Sequence, residues 1–245
     1  MEYRNSVDFE VYGDYALFSD PITRVGGEKF SYQIPTYEAL KGILHSIYWK
    51  PTIIWIIDKV RVMNPIQTET KGIRRPICYQ GKKDLSYYTY LKECRYQVRA
   101  HFVWNLNRPE LEKDRNENKH HNIAKRMIER GGRRDIFLGA RECQGYVRPC
   151  VFGEGESIYD VIEELSFGRM VHGITYADEA YSDKVPETEG NMCVRFCEPV
   201  MRKSVIEFPL PWDCPHKVVR EMRVKSFGLD KDIQSVDNTE QEVID

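Results

Sequence analysis

The feature that most constrains this chain is a strict alternation between residues 95 and 106. Tyr96, Val98, Ala100, Phe102, Trp104 and Leu106 fall on one side, and Arg95, Gln97, Arg99, His101 and Asn105 on the other, with only Val103 out of step. A period of two sustained that long predicts a strand with one buried face, and such a face needs a packed layer over it. Just upstream, Thr52 to Val62 is a nearly continuous, β-branched apolar run, which predicts a central strand. Val7, Phe9 and Val11 alternate with Asp8 and Glu10, a third strand, and Ile136 to Val147 reads as a fourth, broken at Gly139 and Gly145.

Two stretches switch to helical spacing. Leu40, Ile43, Leu44 and Ile47 form one apolar stripe. Thr36, behind Pro35, is placed to cap that helix, and Pro51 is expected to end it. Ile123, Met127 and Ile128 predict a second helix from Lys119 to Arg130, stopped by Gly131-Gly132. Gly13-Asp14, Asp20-Pro21 and Gly26-Gly27 read as turns.

The order is β-α-β-β-α-β, so the expected class is α+β with a ferredoxin-like (RRM-like) domain over residues 1–150. That arrangement puts two helices on one face of a four-stranded antiparallel sheet. The other face stays open, lined by the polar side of the 95–105 strand. Beyond it, Arg169 to Tyr176, Met192 to Pro199 and Lys203 to Phe208 read as the three strands of a small antiparallel β-sheet lobe over 151–229. The remainder, 230–245, is an acidic tail expected to be disordered.

Charge is distributed unevenly. Residues 22–148 carry 25 Lys/Arg against 13 Asp/Glu, while the chain as a whole has a net charge of −2. A block of that sign is the footprint of a polyanion-binding surface, or else a solvated cationic face. Within it, Lys71, Arg74, Arg75, Lys82 and Lys83 read as a basic loop. Seven scattered cysteines without a C-x-x-C pair point to reduced thiols and no zinc site. There is no phosphate-cradling G-x-x-x-x-G-K-[ST] loop, no H-E-x-x-H and no aromatic RNP signature. The longest apolar run, Ile53 to Ile57, is too short to cross a bilayer, and Met1-Glu2-Tyr3-Arg4 lacks a signal-peptide profile. The expectation is a soluble, cytoplasmic protein with no cofactor, no metal and no membrane partner.

Several stretches together carry a resemblance: Gly13 to Pro21, Pro35 to Ile43, Ile47-Tyr48-Trp49-Lys50-Pro51, Asp114 to His120, and Gly131 to Tyr146. The chain resembles the Cas-five subunit of the subtype I-C (Dvulg) CRISPR system, a member of the RAMP superfamily. The match is strong over 5–150 and thinner over 165–228. The resemblance implies an endoribonuclease that cuts the repeat hairpin of precursor CRISPR RNA at its 3′ base. It implies further that the protein keeps the mature crRNA by its 5′ handle, as a subunit of the type I-C interference complex with the backbone and large subunits. It also maps the family's catalytic trio onto Tyr48, Lys119 and His120.

The residues fit that chemistry, because RNA carries its own nucleophile. A 2′-OH attacking the adjacent phosphorus needs orientation, an acid and a base, and a cation, and it needs no metal. On helical spacing Tyr48 follows Tyr37, Lys41 and Leu44 along the edge of the first stripe, beside Lys41 rather than in the core. Lys119 and His120 open the second helix, where anions are favoured. Either Tyr48 or His120 can be the base. His121, His45 and His101 are rivals of His120, whereas His172 and His216 read as structural or surface groups. Arg133, Arg134 and Arg141 in the Gly-rich loop and the strand after it, together with Lys41, Lys50, Arg74 and Arg75, are the candidate RNA contacts, each also readable as a solvated surface charge. Two other readings remain: a non-catalytic subunit that holds the RNA handle, and a less specific binder of RNA and double-stranded DNA.

Overall fold

The computed structural model describes residues 3–21, 23–76, 83–177, 179 and 191–222. The alternating stretch turns out to be the second half of one strand of 22 residues. In chain order the elements are β1 (Val7–Ala16), β2 (Lys29–Phe30), α1 (Tyr37–Ile47), β3 (Ile53–Val62), β4 (Gln67–Pro76) and β5 (Lys83–Trp104). There follow a short 3-10 helix at Pro109–Asp114, α2 (Glu117–Glu129), β6 (Ile136–Phe137) and β7 (Gln144–Pro149). The last third holds β8 (Leu165–Ser166), β9 (Met170–Thr175), β10 (Asn191–Cys197), β11 (Val200–Arg202), β12 (Val205–Glu207) and β13 (His216–Glu221).

The fold is mixed α/β and dominated by antiparallel sheet. The C-terminal half of β5 lies between β1 and β3, with Val98 opposite both Phe9 and Val60, and β7 lies outside β1. Its N-terminal half pairs instead with β4, from Gln67↔Lys92 to Pro76↔Lys83. The basic stretch expected to be a loop is therefore largely a strand. Its Ile73 and the threonines Thr68 and Thr70 favour extended backbone, and the tip, 77–82, lies outside the described residues. Gly13-Asp14, expected to turn, continues β1 as far as Ala16. Gly139 does break the fourth strand: its φ is +87°, and a Cβ there would lie 2.2 Å from the Leu17 carbonyl oxygen. The chain can pass that close to Leu17 only without a side chain.

Both helices pack on one face of this sheet. Thr36 accepts a hydrogen bond from the Ala39 N–H and caps α1, and Tyr37, Leu40, Ile43, Leu44 and Ile47 enter the core. Asn116 caps α2, which starts at Glu117, two residues before the expected start, and Ala124 and Ile128 are buried. The other face is not open. Gln97 donates to the Glu154 carbonyl and accepts from Gly153 N–H, and His101 is bonded to Asp58 and stacked 3.7 Å beneath Tyr3. The polar side of β5 is thus covered by the chain's own segments, and its polar groups serve to anchor them.

Beyond residue 150 the strands divide. β9, β10 and β13 make a three-stranded antiparallel sheet. The Lys203–Phe208 stretch, expected in that sheet, instead forms β12, which pairs with β3 and extends the large sheet. The reason is Arg61 of β3. It is buried and bonds Ser204 Oγ, the Glu154 and Gly155 carbonyls and the Asp160 carboxylate, so it needs this segment alongside. The tail, 230–245, lies outside the described residues. Among the described residues no helix is long and apolar enough to cross a membrane.

Arg61→Ala should cost about 3 kcal/mol, because it leaves several acceptors and one carboxylate without their donor. Urea unfolding of the two proteins checks this, and a loss below about 1 kcal/mol would show that Arg61 does not hold the segments together.

Candidate functional site

The three residues singled out as a catalytic trio come together although 72 residues separate the first from the last. Tyr48 is the residue after α1, not its last turn. Its φ of −156° is extended, and the helix has already ended at Ile47, three residues before Lys50. Two bonds pull it out of the helical path: Trp55 Nε1–H donates to its carbonyl at 2.8 Å, and its hydroxyl reaches His120 Nδ1 at 2.7 Å. Tyr48 is therefore in the core, 3% exposed, and not beside Lys41 at the surface.

His120 lies on the first turn of α2 and is fully buried, with Phe102 and Trp104 edge-on to its ring. Its Nε2 is 2.8 Å from the Asp114 carbonyl oxygen. A carbonyl can only accept, so Nε2 carries the proton, and in the neutral ring Nδ1 accepts from the Tyr48 hydroxyl. Both ring nitrogens are satisfied and the tautomer is set by its partners.

Lys119 points outward, with its side chain 47% exposed, and Nζ is 2.5 Å from Asp114 Oδ1. The other oxygen, Oδ2, accepts from Thr52 Oγ1 at 2.8 Å and is 3.5 Å from His120 Nε2. Lys119, then Thr52, hold the Asp114 carboxyl below the usual range. Burial, then the Asp114 carboxylate, push the Tyr48 hydroxyl above its ordinary value, against a smaller pull from Arg133. Neither Asp114 nor Thr52 was assigned a role from sequence, although Asp114 opens one of the motifs that carry the resemblance.

The candidate RNA contacts divide in two. Lys50, Arg133, Arg134 and Arg141 are exposed, and the Arg133 and Arg134 N–H groups both donate to the Ser46 carbonyl, which docks their loop at the end of α1. Arg74 is exposed on β4 and Arg75 follows it there. Lys41 is different: it is 2% exposed and paired with Glu179 at 2.8 Å, away from solvent. Trp49 is 48% exposed between Tyr48 and Lys50, an aromatic surface at the site that sequence reasoning left without a role. Of the rival histidines, His45 is pulled down to about 4 by burial and then by Lys41, so it is neutral near pH 7. His101 is occupied by Asp58, and His121 Nε2 lies 3.0 Å from the Ser6 carbonyl oxygen. Among the described residues no cluster of His, Cys, Asp and Glu is arranged to hold a metal.

Comparisons with known proteins agree on one kinship. The family model described as CRISPR-associated protein (Cas_Cas5), in its Cas5d form, matches residues 6–209. A Mannheimia succiniciproducens protein named CRISPR pre-crRNA endoribonuclease Cas5d is 44% identical over 66 residues, 27% of this chain and 28% of that one. A Thermus thermophilus protein of the same name is 39% identical over 54 residues, 22% and 23% of the two chains. The matched segments thus span under a third of either curated relative. A crystal structure of a CRISPR-associated protein superposes with a TM-score of 0.70 at 35% identity, over 85% of this chain and 94% of that one. A functionally uncharacterized Streptococcus mutans protein gives 0.68 and 36% over the same shares.

The raised Tyr48 value means that the folded state holds this proton more tightly than the unfolded chain does. The stability this contributes is complete below the ordinary value of 10.0 and is lost as pH rises through the folded value. The difference in tyrosinate absorbance between the parent protein and Tyr48→Phe should therefore titrate above pH 10. A transition below about pH 9 would mean that Tyr48 ionises readily and is itself the base.

Proposed function

Since the chain belongs to the CRISPR-associated Cas5d family, we propose that it is an endoribonuclease that cuts the repeat hairpin of precursor CRISPR RNA and retains the mature crRNA. The observation that carries this is the 2.7 Å bond between Tyr48 and His120, with Lys119 at the surface immediately beside them. The pair suits a relay. Tyr48 Oη gives its proton to His120 Nδ1 while a lone pair on the same oxygen takes the proton of the 2′-OH. The freed 2′-oxygen attacks the adjacent phosphorus, the bond to the 5′-oxygen breaks, and a 2′,3′-cyclic phosphate forms. One Lys119 N–H lies on Asp114, which leaves two to meet the charge that grows on the phosphoryl and leaving oxygens. The leaving 5′-oxygen takes a proton from solvent water on this exposed side, and His120 later returns the proton it took to solvent by way of Tyr48. The relay requires RNA binding to open the Tyr48 hydroxyl, 3% exposed in the free chain, to the 2′-OH.

The same reading takes β1-α1-β3-β5-α2-β7, with the strand order β7-β1-β5-β3, as the ferredoxin-like domain of a RAMP protein over 1–150. It takes the β9-β10-β13 sheet as the second lobe, with β8, β11 and β12 given over to the large sheet, and the protein as a subunit of the type I-C interference complex. Arg133, Arg134, Arg141, Lys50, Arg74 and Arg75 are its candidate phosphate contacts. A second reading, a non-catalytic holder of the RNA handle, draws support from the burial of His120 and Tyr48, which could be a clasp between α1 and α2.

Incubation with the repeat RNA in excess EDTA separates the two. The expected result is one cut leaving a 2′,3′-cyclic phosphate and a 5′-OH, slowed about 10²–10⁴-fold in Tyr48→Phe and in His120→Ala. Tight binding without cutting would leave the clasp. Equal affinity for duplex DNA, falling steeply with salt, would favour the less specific binder.

A further inference from the structure

Asp114 lies beside the trio and contacts His120, Lys119 and Thr52, each in a different way. Its main-chain carbonyl takes the His120 Nε2 proton at 2.8 Å. Its Oδ1 holds the Lys119 ammonium at 2.5 Å, and its Oδ2 is held by Thr52 Oγ1 at 2.8 Å. Thr52 is itself buried, and its carbonyl accepts from the Asn105 N–H, so it anchors the carboxylate to a fixed part of the structure next to β3. The ends of the segment are pinned too, by Arg115 Nη2 on the Asn105 and Arg108 carbonyls and by the Asn116 cap of α2.

We propose that Asp114 is a positioning residue for the RNA-cleavage reaction. Its carbonyl fixes the His120 ring with Nδ1 turned to Tyr48. Its carboxylate, steadied by Thr52, aims the Lys119 ammonium at the scissile phosphate. This rests on the endoribonuclease reading above and adds to it the element that makes a buried histidine and a half-exposed lysine act on the same phosphate. The logic is that of a third group orienting an acid–base pair. A lysine on a flexible four-carbon stem has many rotamers, and one charge-assisted bond at its head removes most of them before substrate arrives. As the carboxylate already occupies one Lys119 N–H, an opposite role is also definable: a stand-in for the phosphate that keeps RNA out.

The sign of the Asp114→Asn effect decides. The variant keeps the main-chain carbonyl and the shape and loses the charge. With repeat RNA the expected outcome is kcat lower by about 10- to 100-fold, within the range typical of one catalytic interaction. Kd for a repeat carrying a 2′-deoxy sugar at the cut should be unchanged. Thr52→Val should reproduce part of the loss. In the Lys119→Ala background Asp114→Asn should cost much less than it does alone, since it acts through that ammonium, whereas a general structural defect would cost the same in both. Unchanged kcat, full additivity with Lys119→Ala, or tighter RNA binding by Asp114→Asn would each overturn the proposal, the last by showing a mask.

A second readout needs no RNA. In ¹⁵N-histidine spectra of the free protein, the His120 Nε2–H signal should exchange slowly, and faster in the Asp114→Asn, Thr52→Val double variant. If the parent protein does not cut RNA yet this difference is seen, the activity reading fails while the placement of Asp114 stands. If the parent cuts and the difference is absent, the placement fails alone.

Discussion

The structure hangs on β5. A strand of 22 residues is several times the usual length, and no single partner can cover it. Its C-terminal half is flanked by β1 and β3 and its N-terminal half by β4, so one backbone runs through two zones of sheet. Where the flanks are β1 and β3, the apolar side faces α1 and α2. The polar side of the same half carries Gln97, Arg99 and His101, each of which holds another segment in place. The alternation that sets the strand therefore also determines which parts of the chain return to it.

The site follows from this layering. Each helix lies between two strands of the sheet, so the end of α1 and the start of α2 are brought over the same edge of the core. Tyr48 and His120 meet there because neither can be buried alone. A buried hydroxyl and a buried imidazole each need a partner, and each supplies the other's. Phe102 and Trp104 pack edge-on against the buried His120 ring, and that apolar surround strengthens the bond. In the proposed relay, a proton moving along it would stay within a pair that is satisfied before and after the move. The tautomer set by the Asp114 carbonyl leaves Nδ1 as the acceptor for that proposed motion.

Much of this was legible in the sequence because it rests on local pattern. The period-two runs and the helical stripes of α1 and α2 are properties of single segments, as is the cap Thr36. The readings that failed depended on distant partners. Helical spacing carried Tyr48 along the edge of α1, but Trp55 and His120, from β3 and α2, draw it inward. The sheet face expected to be open is closed by Tyr3 and by 153–154, which no periodicity links to it. The 203–208 strand joined the large sheet because of Arg61, whose need for five bonds cannot be read from its neighbours. Asp114 belongs to the same class, for its partners Thr52, Lys119 and His120 come from two other elements.

Charge shows the limit of sequence arithmetic most directly. The excess of 12 positive charges over residues 22–148 suggested one broad cationic surface. In the fold, the acidic segments on either side of that block return to neutralise parts of it. Asp8 pairs with Arg99, Glu10 with both Arg95 and Arg148, Asp160 with Arg61, and Glu179 with Lys41. Most of these pairs sit on or under the covered side of the sheet, where an unpaired cation would be costly. Lys50, Arg133 and Arg134 are left exposed around the end of α1, and Lys119 at the start of α2. The acidic segments thus remove part of the positive field, and the exposed cations near the end of α1 and the start of α2 remain alongside Arg74 on β4 and Arg141.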